Sequence, residues 1–374
     1  MAWSFRIATI RGIPILVNIT LILIIPLFAF AFSISPPPYG FGNVPNSFIY
    51  GTVAGIMIFV FVLLHELGHS LVALRYGIEV HSITLYLIGG VSAIEIPKEP
   101  RKEFRTALVG PLVSIGLGVI FFIPSLVIVT AVPSAAASVP NLFLQNFAYV
   151  NLVLGGFNLI PAFPMDGGRV FRAWLAIRRP YLQATHIAVQ IGKVFAIAMG
   201  IVGFIINPFL IIIAFFIYIA ASDEERQTTI VQTLSGVKVR DIMTTDVVTV
   251  PPSMPVSQLL EVMFKSKHAS YPVVDSGKLV GLITFAEVHQ VPPDRRDDIM
   301  VGNIMTRDIT PVSPNEEASD VFVALSQNRQ GSLPVIDGDR VIGIITQKDL
   351  TSAMNLLGEA REQIVGPDGT VAKA

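Results

Sequence analysis

The stretch Ile58–Leu74 reads IFVFVLLHELGHSLVAL. It sits in a longer apolar run, Phe48–Leu74, which exceeds the roughly 20 residues a helix needs to cross a bilayer. His65 and His69 are four positions apart, so they share one face of that helix, and Glu66 lies beside it. Two imidazoles at this spacing can hold one zinc ion, and an adjacent carboxylate can take a proton from an activated water. The pentapeptide is common in soluble chains, and the setting makes it specific. An ionisable side chain at a bilayer centre costs roughly 2.5–3.5 kcal/mol and normally faces a bundle interior. Three within five positions need a reason. The plain alternative is a polar patch satisfied by neighbouring helices, and it gives Glu66 no task.

Outward from this run, the chain changes character at Ala221. Candidate spans are Ile13–Phe32, Phe48–Leu74, Ala107–Val132, Leu142–Ile160, Ile187–Ile206 and Pro208–Ala221. Asn207-Pro208 turns between the last two. Basic residues cluster in Lys98–Arg105 and Arg169–Arg179 and at Arg6 and Arg11, whereas the loops Ser33–Asn46 and Pro133–Asn141 hold no Lys or Arg. The asymmetry predicts six spans with both termini cytoplasmic. The run from Ile13 is too long for a cleaved signal core, so an uncleaved first span is expected. Residues Val80–Ile96 are rich in β-branched types around Gly89-Gly90. They predict a strand, a Gly-Gly bend and a strand: a small membrane-associated β element beside the helices.

Composition narrows the chemistry. The 374 residues are 52% hydrophobic and 14% charged, with a formal net charge of −1. That balance offers no electrostatic case for nucleic acid. There is no cysteine, which excludes thiolate zinc sites and cysteine nucleophiles, so a metal must rest on His, Asp or Glu. Zinc needs a third protein ligand. His268 and His289 fall in the soluble part, and His81 and His186 sit at expected membrane edges. The stronger candidate is Asp166, in Asn158–Gly168, NLIPAFPMDGG. Pro161 and Pro164 prevent a regular helix there, and such a break is tolerated where it lines a cavity. The second and fourth spans both run inward, which puts His65, His69 and Asp166 at similar depth near the cytoplasm.

These residues carry a resemblance. HExxH at His65–His69, followed by NxxPxxxxDG at Asn158, Pro161, Asp166 and Gly167, resembles the site-2 protease family of intramembrane metalloproteases. The resemblance implies one zinc held by His65, His69 and Asp166, with Glu66 as general base and Asn158 as a polar group near the scissile peptide. Gly110-Pro111 with Ser114 resembles the family's small-residue packing motif, and Gly89 and Gly90 its membrane-dipping, substrate-contacting β element. A substrate span would have to unwind, and an edge such as Ser82–Tyr86 or Val91–Ile94 could hold it extended. The partners implied are a transmembrane protein substrate and the bilayer, in regulated intramembrane proteolysis at the cell membrane.

The soluble part repeats itself. Val239–Thr244 aligns with Val301–Thr306, Tyr271–Asp275 with Leu333–Asp337, and Leu279–Thr284 with Val341–Thr346. Each unit predicts strand, helix, two strands, helix. The pattern resembles a tandem pair of cystathionine-β-synthase (CBS) domains, a soluble α/β module. Such pairs bind AMP, ADP or ATP through a GxxTxxD pattern. The second repeat has it in Gly343, Thr346 and Asp349, joined by Thr310 at the start of that repeat's first strand, whereas the first has Gly281 and Thr284 but Glu287 in place of Asp. The alternative is a folding module that also dimerises the chain. The resulting division is a protease domain over 1–221, a linker over 222–236, CBS repeats over 237–290 and 299–355, and a tail over 356–374 of a short helix end followed by disorder. Two rival readings remain on the sequence: a transporter with a CBS regulator, which offers no role for Glu66, and an inactive relative that binds without cleaving.

Overall fold

The computed structural model describes residues 4–42, 44–86, 89–94, 99–328 and 331–364. The chain divides into two compact units, Met1–Glu225 and Arg226–Ala374.

The first unit opens on a hairpin, β1 (Ser4–Ile10) and β2 (Ile13–Asn18). Arg11 and Gly12 both have positive φ, 49° and 86°, as a two-residue hairpin turn requires. This corrects the expected first span: Ile13–Asn18 is strand, and helix α1 (Ile19–Ile34) begins after it. The Asn18 side chain caps α1 by accepting from the Thr20 N–H at 3.1 Å, which fixes where strand becomes helix. Apolar character alone does not separate a buried strand from a helix.

There follow α2 (Ser47–Arg75), β3 (Val80–Tyr86), β4 (Gly89–Ile94), α3 (Pro100–Ala131), α4 (Val139–Asn158), α5 (Asp166–Ala176), α6 (Tyr181–Ile206) and α7 (Phe209–Leu234). The strands form one sheet in the order β1-β2-β3-β4, with β2 and β3 parallel. Two expectations change here. Gly89 and Gly90 begin β4 rather than forming the bend, and residues 87–88 and 95–96 of the expected element lie outside the described residues, as does Lys98. Strand β3 is paired on both sides, so Ser82–Tyr86 is not an edge, and β4 is. The sheet rests on α2 through Ile13, Ile15 and Ile83 against Leu63 and Leu67.

Among the described residues, α2, α3 and α6 are long and apolar enough to cross a membrane, while α1 is a shorter apolar helix of 16 residues. Small residues let the helices approach. A Cβ on Gly155 of α4 would lie 2.9 Å from the Pro111 carbonyl oxygen of α3, and one on Gly118 would lie 2.7 Å from Leu152 of α4.

The second unit takes the remainder of the chain: α8 (Val239–Ile242), α9 (Val256–Ser266), β5 (Ser270–Asp275), β6 (Lys278–Thr284), α10 (Phe285–His289), α11 (Val301–Ile304), α12 (Ala318–Asn328), β7 (Ser332–Asp337), β8 (Arg340–Thr346) and α13 (Gln347–Ile364). Each repeat has an antiparallel hairpin, β5-β6 or β7-β8. The expected leading strand shrinks to a single parallel bridge, Val250 to Val273 and Val312 to Val335. The repeats interlock. Val239 packs in the core of the second repeat with Val335 and Ile345, and Val301 and Met305 pack in the core of the first. The equivalent hydroxyls of Ser270 and Ser332 bond to each other. Residues 222–234, expected as linker, continue α7, and 365–374 of the expected disordered tail lie outside the described residues.

Candidate metal centre

Three side chains converge from two elements. His65 and His69 project from the C-terminal half of α2, and Asp166 is the first residue of α5. The loop 159–165 delivers Asp166 because it can fold tightly over α5. A Cβ on Gly168 would lie 2.7 Å from the Ala162 carbonyl carbon and the Phe163 nitrogen, and one on Gly167 would overlap the Leu159 and Ile160 carbonyls. No larger residue fits beneath this loop, so the Gly-Gly pair after Asp166 serves close approach.

Asp166 Oδ2 lies 3.0 Å from His65 Nε2 and 3.2 Å from His69 Nε2, and the two Nε2 atoms are 3.2 Å apart. Four ligands at about 2.0–2.1 Å in a tetrahedron stand about 3.3 Å from one another. The three donors therefore already mark one face of such a tetrahedron. Both histidines are oriented from behind, as metal-binding imidazoles usually are. His65 Nδ1 is 2.9 Å from the Ser114 hydroxyl, and His69 Nδ1 is 2.7 Å from the Thr106 carbonyl. That carbonyl only accepts, so His69 carries its proton on Nδ1. In neutral His69 the Nε2 lone pair then faces the Asp166 carboxylate, a repulsive arrangement that a cation between them would resolve. The donor set fits zinc. Among the described residues, His65, His69 and Asp166 are the group of three His, Asp or Glu side chains close enough to share a metal.

Helix α3 backs the site. Its Gly110 faces His69, and a Cβ there would overlap the imidazole ring. Gly110→Ala is expected to tilt His69 and weaken zinc binding roughly 10- to 100-fold, the usual effect of disturbing a ligand's support. Competition with a calibrated zinc chelator measures it.

Glu66 is half-buried and accepts a 2.6 Å hydrogen bond from the Ser92 hydroxyl on β4. Gly90 lies against it: a Cβ there would be 2.6 Å from Glu66 Cγ and 2.9 Å from Val62 Cγ1. The Asn158 amide donates to the Leu154 carbonyl of its own helix at 2.9 Å. His81 and His186 are exposed, and His186 pairs with Glu225.

Sequence reasoning missed a buried ion cluster that joins α3, α5 and α7. Arg172 of α5 is 2% exposed and Glu103 of α3 is 3% exposed, and they form an ion pair. Arg172 also pairs with Glu224 of α7 at 2.6 Å and lies over the rings of Phe163 and Tyr181, 4.9 and 5.0 Å from their centres. Glu103 lies three residues before Thr106, and Arg172 six after Asp166. The pair therefore fastens the two helices that orient His69 and supply Asp166. Both residues sit among basic neighbours in the sequence and read there as a solvated cytoplasmic face.

In the second unit, the Thr346 hydroxyl donates to Asp349 Oδ2 at 2.7 Å, and Asp349 Oδ2 also accepts from the Thr346 N–H at 2.9 Å. Thr284 and Glu287 form the same cap at α10, so these positions also start helices. Asp349 Oδ1 is 3.4 Å from the Thr244 hydroxyl of the first repeat. Thr310 is exposed and outside any named strand.

Residues 53–136 and 124–199 match the Peptidase family M50 model, and residues 239–291 and 301–356 match the CBS domain model. The chain is 36% identical over 369 residues to a zinc metalloprotease of Methanocaldococcus jannaschii, covering 97% of this chain and 99% of that protein. It is 27% identical to a CBS domain-containing protein of Bacillus subtilis, over 30% of this chain and 81% of that one. A solved site-2 protease from Methanocaldococcus jannaschii is 38% identical, with a TM-score of 0.43, covering 60% of this chain and 96% of that chain.

Proposed function

Since the chain belongs to the site-2 protease family of zinc metalloproteases and carries a CBS pair, we propose that it cleaves a peptide bond within or near the transmembrane segment of a membrane-protein substrate. The observation that carries this reading is the tetrahedral spacing of His65, His69 and Asp166 at the foot of an apolar helix. These three residues would hold the zinc. When bound, zinc supplies a Lewis acid that polarises the scissile carbonyl and lowers the pKa of water toward 7. Glu66 accepts the proton of the attacking water and returns it to the leaving amine. Asn158 offers a polar group to the scissile peptide. A substrate unwound from its helix adds as a strand along the β4 edge, near Gly89 and Gly90, where its backbone groups find partners.

In this reading α1, α4 and α7 join the three long spans to make six, and both termini face the cytoplasm. The protease domain ends near residue 221, and the sheet lies at the membrane. The enzyme in phospholipid nanodiscs is expected to cleave a fluorogenic transmembrane peptide, to lose that activity with a zinc chelator, and to regain it on adding zinc. Activity that persists in metal-free protein would overturn the proposal.

The CBS pair, over about 237–355, is the proposed regulatory and dimerising module. Thr346 and Asp349, with Thr310, are its proposed adenine-nucleotide residues: Asp349 already reaches Thr244 across the repeats. Calorimetric titration of the full-length protein with AMP and ATP should give saturable heat that Asp349→Ala removes. Equal heat in the variant would place any nucleotide elsewhere.

A further inference from the structure

We infer that Ser92 is a positioning residue for Glu66, tying the orientation of the base to the strand on which substrate is expected to dock. This rests on the reading of Glu66 as the general base. Strand β4 crosses one face of α2. Val62, Glu66 and Ser70 are spaced four apart on that face, and Gly90 and Ser92, alternate residues of the strand, point toward them. Gly90 admits the strand because no Cβ stands between it and Glu66. Ser92 then meets the carboxylate directly, its Oγ 2.6 Å from Glu66 Oε2.

The direction of the bonds follows from the donors. An ionised carboxylate only accepts and a serine hydroxyl has one proton, so Ser92 gives its proton to Glu66. Its contact to the Glu66 carbonyl, at 3.4 Å, is secondary. The wholly buried Ser70 hydroxyl donates in turn to Ser92 Oγ at 3.3 Å. A short charge-assisted bond of this kind is among the stronger side-chain contacts. It engages the carboxylate through Oε2, so that Oε1 is the oxygen left to take up a proton. Because β4 is the sheet's edge, a substrate strand that pairs with it also orders the segment holding Ser92. Seating the substrate and aiming the base become one event. Misplacing a catalytic group by about 1 Å can cost on the order of 100-fold in rate.

Three variants of the full-length enzyme in nanodiscs test this, each read by kcat, KM and bound zinc. Ser92→Ala is expected to lower kcat roughly 10- to 100-fold, with KM and zinc content held. Ser92→Thr, which keeps the hydroxyl and suits a strand, is expected to restore most of kcat. A wild-type kcat in Ser92→Ala overturns the inference. So does a rise in KM alone, loss of zinc, or failure of threonine to rescue, since each assigns Ser92 to substrate affinity or to folding. Glu66→Gln is the separate control: cleavage surviving there removes the base assignment itself, whatever Ser92 does.

Discussion

Replacing Glu66 by glutamine is expected to lower cleavage by at least 10²- to 10⁴-fold, the range assigned to a positioned general base, while zinc stays bound. Glutamine has nearly the same shape, and its carbonyl oxygen can still accept from Ser92. It cannot accept and return a proton at neutral pH. The three metal donors, His65, His69 and Asp166, are untouched by the change. Turnover of a transmembrane peptide, measured beside zinc content, separates the chemistry from the metal. If both fell together, Glu66 would be supporting the site instead of acting in it. The same variant should retain unwound substrate and so allow partners to be captured, which would address substrate identity directly.

The second large effect is on stability. Arg172→Met is expected to destabilise the first unit by about 3–5 kcal/mol, the cost of leaving a buried charge without its partner. Glu103 and Glu224 both pair with Arg172, and Glu103 Oε2 has no hydrogen-bond partner among the described residues. The Tyr181 hydroxyl adds a 3.3 Å hydrogen bond to Glu103 Oε1, but it is the guanidinium that brings the positive charge to both carboxylates. Replacing both members of the buried pair, Arg172→Met with Glu103→Leu, should be milder than Arg172→Met alone, because an apolar pair carries no desolvation penalty. Thermal unfolding in nanodiscs of the two variants and the parent measures the difference. Zinc affinity is expected to fall with stability in Arg172→Met, since α5 carries Asp166 at its first residue.

The metal centre was legible in the sequence because its parts are local. The His65–His69 spacing follows from helix geometry, and the Asn158–Gly168 stretch marks its own break with prolines and glycines. These two distant segments meet, with Oδ2 of Asp166 beside both Nε2 atoms. The tandem repeat was legible for a similar reason, since self-similarity needs no packing information.

What escaped depends on tertiary partners. Ile13–Asn18 is apolar enough to extend the first span, yet it pairs in parallel with β3 and becomes strand. A hairpin turn at Arg11-Gly12 was the available signal. The Gly89-Gly90 pair read as a bend because glycine favours turns, whereas Gly90 serves close approach to Glu66. Arg172 and Glu103 could not be found from spacing, since they lie 69 residues apart and meet only when α3 and α5 pack.

The central claim is a zinc ion held by two imidazoles and one carboxylate. X-ray absorption at the zinc edge on the purified protein tests it most directly. The predicted spectrum has two imidazole nitrogens at about 2.0–2.1 Å and carboxylate and water oxygens at about 2.0–2.2 Å. It should lose imidazole scattering in His69→Ala and change its oxygen shell in Asp166→Ala. A spectrum without imidazole, or one unaltered by both substitutions, would contradict the account.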